Sequence, residues 1–210
     1  MFKDRKQAGE LLAMKLSKYR DNPQVVILGI PRGGVETAFY LASALKAPLD
    51  VIIIKKIGYP GNEELAIGAA TIDNFELDKE LAKNVSKEYI EKEVQEKQQQ
   101  AKERYAFLNK NKPVLSLKNK IVIVADDGMA TGATMMMAVK VIHQQQPKKV
   151  IVAVPVASLE AVNKLQKLAE VICLEQPMFF MAIGQFYEQF EPVEDEEVKK
   201  LLEKAERWNN

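Results

Sequence analysis

Two adjacent carboxylates, Asp126 and Asp127, followed by a turn carrying Gly128, Thr131, Gly132 and Thr134, are the residues whose types and spacing best suit chemistry. They close a short apolar run, Ile121–Ala125 (IVIVA), and lead into a segment with helical spacing, Ala133–Gln145. Glycines at 128 and 132 allow positive φ and close approach of backbone to ligand. N–H groups at a helix start, joined by the Thr131 and Thr134 hydroxyls, suit a phosphate. Carboxylates placed directly against a phosphate repel it. The pair therefore needs sugar hydroxyls or a bound metal beside it. Phosphate in the turn and hydroxyls at the acids together describe a ribose 5-phosphate. A Walker A loop would carry Lys where Ala133 stands, and G-x-G-x-x-G is absent.

A second constellation is GIPRGGV, Gly29–Val35, again between an apolar run and a helical segment. Gly33 and Gly34 permit a strained backbone that turns N–H groups toward an anion, and Arg32 supplies a cationic fork. Arg-Gly-Gly alone is common in turns. The third is Lys55-Lys56, after the run Val51–Ile54. A lysine pair there neutralises a pyrophosphate or is ordinary solvated surface, and the residues leave both open. Tyr59–Asn62, with Pro60 and Gly61, reads as a turn. His143 falls inside a helix with no catalytic role, Cys173 ends an inner strand as a buried small hydrophobe, and Met135–Met137 read as packing.

The elements that must position these groups are legible as alternating segment types. Val25–Ile30, Val51–Ile54, Ile121–Ala125, Val150–Val154 and Val171–Leu174 are short, Val/Ile-rich and apolar on both faces, as buried parallel strands are. Val35–Leu45, Ala133–Gln145 and Leu159–Leu168 have helical spacing. The expected fold is α/β, a mostly parallel twisted sheet with helices on both faces. Asp4–Arg20 reads as an amphipathic helix with Asp4 as N-cap. Asp78–Asn109 reads as one long helix striped by Leu81, Val85, Tyr89, Ile90 and Val94. At 1.5 Å per residue it would span about 45 Å. Such a helix leans on a partner subunit, as in a homodimer, or is an excursion packed by its first half only; both stay open. Met178–Asn210 forms a C-terminal extension, apolar-aromatic and then helical with an acidic start. One domain over 1–210 is expected, with a helical insertion at about 78–110 and the extension at about 176–210.

Composition narrows the function classes. The 210 residues are 47% hydrophobic and 28% charged, enough for a core and an ordinary soluble surface. A net charge of +1 argues against a nucleic-acid binder acting through overall basicity. The stretch MFKDRKQAGE lacks a signal peptide's apolar segment. The run Val150–Ala157, broken by Pro155, is too short for a membrane span. One cysteine excludes an internal disulfide framework. A cytoplasmic protein without membrane or nucleic-acid partners is the expectation.

The run IVIV-A-DD-GMATGAT resembles the signature of the type I phosphoribosyltransferases: hydrophobic residues, two acids, then a Gly/Thr-rich loop. PRGGV, KKIGYPGNEELAIGA, VAVPVAS and the FYEQF…DEEV tail extend the resemblance over most of residues 25 to 200. The resemblance implies an enzyme, or a sensor on the same fold, that binds phosphoribosyl pyrophosphate (PRPP) with Mg²⁺. Gly128, Met129, Ala130, Thr131, Gly132, Ala133 and Thr134 would hold the 5-phosphate. Asp126 and Asp127 would hold the ribose hydroxyls and, mostly through PRPP, the metal. Pro31, Arg32, Gly33 and Gly34 would form the pyrophosphate loop, where relatives often keep a non-proline cis peptide. Lys55 or Lys56 would add charge to the leaving group, and a mobile loop would follow. A hood would cover the acceptor base, with Phe179, Phe180, Phe186 and Tyr187 as stacking candidates or as core. Asp127→Asn or Arg32→Ala is expected to weaken PRPP binding or turnover about ten- to a hundredfold, one charge-assisted hydrogen bond's worth. Unchanged PRPP affinity in both variants would contradict the assignments.

Overall fold

The computed structural model describes residues 1–110 and 112–206, and the chain divides into two compact units, 1–52 with 113–210 and 53–112. The first unit carries helix α1 (Arg5–Lys15), β1 (Val25–Gly29), α2 (Gly33–Leu45) and β2 (Leu49–Val51). The second carries β3 (Lys55–Tyr59), β4 (Asn62–Ala70), β5 (Phe75–Leu77) and α3 (Lys87–Asn109). The chain then adds β6 (Ile121–Ala125), α4 (Ala133–Gln144), β7 (Lys149–Val156), α5 (Leu159–Leu165), β8 (Glu170–Glu175) and α6 (Asp195–Glu206) to the first.

In the first unit the strands form a five-stranded sheet, order β2-β1-β6-β7-β8, with every neighbouring pair parallel. β1 and β6 are buried at every position, which is why they read as unbroken apolar runs. The crossover from β1 through α2 leads to β2, whereas those through α4 and α5 lead the other way, to β7 and β8. Right-handed connections therefore set α2 on one face and α4 and α5 on the other. α1 and α6 pack beside α2. Gly9 allows the close approach of α1, since a Cβ there would stand 2.6 Å from the Thr37 carbonyl oxygen. Helix α1 is shorter than the sequence suggests. Asp4 caps it, accepting from the Gln7 N–H at 2.8 Å, and a 3-10 turn at Ser17–Tyr19 follows.

In the second unit β3, β4 and β5 make an antiparallel sheet, with α3 against β3 and β4. Several expectations are corrected in this unit. The second parallel strand ends at Val51, so Lys55 and Lys56 do not lie at its carboxyl end. They open the first strand of a hairpin whose turn is Pro60-Gly61, with Gly61 at φ 76°. The expected mobile loop at Tyr59–Asn62 is thus the tip of this hairpin, and Lys56 pairs with Glu64 at 3.2 Å. The long helix begins at Lys87, not Asp78, where Ser86 accepts from the Tyr89 N–H. Val85, Tyr89, Ile90 and Val94 pack on Ile57 and Ile67, as the stripe implies, while Leu81 is exposed. The buried positions of α3 continue to Ala101, Tyr105 and Leu108, so burial is not confined to its first half.

Among the described residues no helix is long and apolar enough to cross a membrane. Cys173 lies on β8, the sheet's edge rather than an inner strand, and is partly exposed with its thiol donating to the Glu175 carbonyl at 3.1 Å. Burial pushes that thiol up to about 11. Since the thiolate is the nucleophile, iodoacetamide labelling is expected to be slow at pH 8 and to accelerate up to about pH 11. Mass spectrometry of labelled protein across that range checks it, and fast labelling at pH 8 would refute the assignment.

Candidate functional site

β1 and β6 are neighbours whose crossovers leave in opposite directions, so their carboxyl ends flank the switch point of the sheet. That is where open α/β folds bind ligands. The two turns singled out from sequence both lie there. Gly34 packs so tightly on the β6 end that a Cβ would stand 2.6 Å from Asp126 Oδ1 and 2.9 Å from Asp126 Cα. A Cβ at Gly33 would collide with the Asp127 carboxylate. The glycines thus serve close approach and not positive φ, since α2 already begins at Gly33. The Pro31–Arg32 peptide bond is cis.

Past β6 the loop encloses a cavity of about 180 Å³ lined by Asp126, Gly128–Met135 and Ile183. Gly132, at φ 73°, caps α4, Thr131 Oγ1 accepts from the Ala133 N–H at 3.4 Å, and the first turn of α4 lines the cavity. Thr131 and Thr134 line it with exposed side chains. The loop is pinned from behind by the end of β7. The Met129 N–H donates to the Val156 carbonyl, the Ser158 N–H to the Met129 carbonyl, and Ser158 Oγ to the Ala130 carbonyl at 2.6 Å. Gly128 does not adopt positive φ. It is needed because Ile183 comes within 2.5 Å of where a Cβ would be.

The twin acids part company. Asp126 lines the cavity, and its Oδ1 accepts the Asp127 N–H at 2.9 Å. Burial and the neighbouring Asp127 raise its pKa well above the ordinary carboxylate range. Asp127 does not line the cavity. Its Oδ2 accepts from Arg5 Nε at 2.8 Å, and its backbone carbonyl from the Tyr187 hydroxyl at 2.6 Å. Both Arg5 and Asp127 are buried. Glu36 Oε2 lies 3.5 Å from Arg5 Nη1, and desolvation raises its pKa despite that cation. Arg32 is exposed and pairs with Glu194 at 3.3 Å.

Tyr187, one candidate for base stacking, is instead buried against Phe2 and Phe190. Phe180 and Phe186 are partly buried in the same cluster. Only Phe179 of the four projects freely, at 82% exposure beside Met178 and Met181. His143 is exposed, with Nε2 2.9 Å from the Leu168 carbonyl. Met135 is buried and lines the cavity, whereas Met136 and Met137 are half-buried. Arg5 escapes sequence reasoning. Its one signal is a breach of helix electrostatics: α1 has no acid in its first turn and starts with Arg5 and Lys6, against the dipole.

A parallel α/β sheet with a helix start and a carboxylate at its switch point has the arrangement in which open α/β folds bind ligands. The chain belongs to the phosphoribosyl transferase domain family, whose model matches residues 2–191. It is 36% identical over 211 aligned residues, 99% of this chain, to proteins of Mycobacterium tuberculosis strains H37Rv and CDC 1551 provisionally named phosphoribosyl transferases. The chain spans about half the length of these relatives, 47%. The crystal structure of TT1426 from Thermus thermophilus is 39% identical, with a TM-score of 0.88 over 97% of this chain and 98% of that one. A Neisseria gonorrhoeae protein solved with bound ppGpp shares the fold at 15% identity, with a TM-score of 0.51 over 98% of both chains.

Proposed function

We propose that the chain binds PRPP and transfers its 5-phosphoribosyl group to a nitrogenous acceptor, releasing pyrophosphate. The observation that carries this reading is the placing of Asp126 and the start of α4 around one cavity. The loop N–H groups and the Thr131 and Thr134 hydroxyls take the 5-phosphate, and Asp126 accepts from ribose hydroxyls. In the reaction the bond from the ribose anomeric carbon to pyrophosphate oxygen breaks with its electron pair leaving on oxygen. A bond to the acceptor nitrogen forms, and the acceptor's proton passes to solvent. No protein nucleophile is required. Catalysis comes from positioning and from charge aimed at the leaving group. Arg32 and the start of α2 supply that charge in this reading.

Mg²⁺ fits as an ion carried in on PRPP, where it would neutralise the departing pyrophosphate. No cluster of three or more His, Cys, Asp or Glu among the described residues is arranged to hold a metal alone. Asp126 is the residue that faces the ligand's hydroxyls and ion together. Phe179, exposed and four positions from the cavity-lining Ile183, is the aromatic we assign to the acceptor base. Residues 1–210 act in this reading as one functional module.

One observation favours a second reading, a PRPP or nucleotide sensor. Two of the groups expected at the ligand are held by other side chains, Arg32 by Glu194 and Asp127 by Arg5. Titration calorimetry with PRPP and Mg²⁺, followed by a panel of bases monitored for pyrophosphate release, separates the two. Release with any base establishes transfer, binding without release favours the sensor, and no binding overturns both.

A further inference from the structure

We infer that Arg5 is a positioning residue for the ribose site, deciding which carboxylate meets the ligand; this rests on the reading above. The guanidinium gathers four residues from three parts of the first unit. Nε donates to Asp127 Oδ2 at 2.8 Å, and Nη1 donates to the Glu191 backbone carbonyl at 2.8 Å. Nη1 also lies 3.5 Å from Glu36 Oε2, and Cζ stands 3.9 Å from the centre of the Phe190 ring. The Arg5 side chain is only 7% exposed, so these contacts fix it in one orientation. A planar fork holding carboxylate, carbonyl and ring at once is a task for arginine that lysine does not reproduce.

Asp127 is therefore held from both ends, its carboxylate by Arg5 and its carbonyl by Tyr187. Its N–H in turn donates to Asp126 Oδ1, which orients the one carboxylate that lines the cavity. The chain Arg5–Asp127–Asp126 carries orientation from the start of α1 into the cavity without Arg5 entering it. Two adjacent carboxylates also repel each other, and the cation draws Asp127 aside. The 5-phosphate loop has separate supports, Val156 and Ser158. Arg5 thus governs recognition of the sugar hydroxyls and leaves the phosphate grip intact.

The test uses the full chain and three probes: ribose 5-phosphate, 2-deoxyribose 5-phosphate and inorganic phosphate. Their affinities are measured by calorimetry or by NMR shifts of loop amides. In Arg5→Met, ribose 5-phosphate affinity is expected to fall about tenfold, the scale of one charge-assisted hydrogen bond. Its preference over the deoxy sugar should collapse toward unity, and inorganic phosphate should bind as before. Arg5→Lys keeps the charge without the fork, and is expected to lose part of that preference. It carries the test alone if the methionine variant does not fold. An unchanged preference in a folded variant, or a parallel loss on all three probes, overturns the positioning role. A wild-type chain that binds neither sugar phosphate overturns the reading beneath it, a distinct result.

Discussion

Gly34→Ala is expected to cost PRPP affinity at least a hundredfold, about 2.8 kcal/mol at 1.4 kcal/mol per tenfold. The added methyl would meet Asp126 Oδ1 at 2.6 Å, Asp126 Cα at 2.9 Å and the Ala125 carbonyl oxygen at 3.0 Å. Two of those atoms are backbone at the end of β6, so no rotamer change relieves the clash. The turn must move instead, and it carries the cavity's carboxylate. Overpacking a tight contact costs typically 1–3 kcal/mol of stability. Thermal unfolding should therefore fall together with binding. A variant with wild-type melting and wild-type PRPP affinity would show that the two turns do not need this approach.

Asp126→Asn separates the same two quantities. The amide keeps an oxygen for the Asp127 N–H but loses the charge that faces the cavity. A carboxylate accepting from two ribose hydroxyls loses on the order of a hundredfold in affinity when neutralised, at 1.5–3 kcal/mol for hydrogen bonds to a charged group. Stability moves oppositely. Burial and Asp127 raise the Asp126 pKa well above the ordinary range, so the folded chain disfavours its ionised form. An acid with a raised folded pKa stabilises the fold below its unfolded pKa, and that contribution is lost as pH rises through the folded value. At pH 8 the asparagine variant, free of this penalty, is expected to melt higher than wild type. The advantage shrinks as pH falls toward the unfolded carboxylate range near 4. Melting curves over pH 4–8 beside PRPP titrations check both signs. Undiminished PRPP binding would remove Asp126 from the site.

The parts of this arrangement that can be read in advance are those set by short-range pattern. Ile121–Ala125 is buried on both faces between β1 and β7, and only apolar residues satisfy that environment, so the strand and the acids at its end stand out. The start of α4 is legible because Gly132 and two threonines precede or open an apolar helix. The turn at Tyr59–Asn62 is legible, but the strands on either side of it are not, for a physical reason. Pro60-Gly61 marks a turn whether its flanks are loop or strand, and β4 opens with exposed residues that hide its apolar second half, Ile67–Ala70. The division of labour between Asp126 and Asp127 is not legible at all. It depends on Arg5, 122 positions from Asp127, and Tyr187, 60 positions away on the other side. Ile183 likewise explains Gly128 only once the C-terminal segment is in place.

That segment has a consequence for how the protein comes into being. Phe2 pairs through its backbone with Phe186 and Glu188, and Arg5 grips the carbonyl of Glu191, 186 positions further along the chain. During translation the first helix leaves the ribosome long before its anchors exist, and closing so wide a loop is slow beside local folding. A nascent chain halted after β8 already owns every strand of the parallel sheet, yet leaves the Arg5 fork without its backbone anchor. The Arg5 fork is therefore completed only once Glu191 has been made, as a closing stitch between distant parts of the polypeptide.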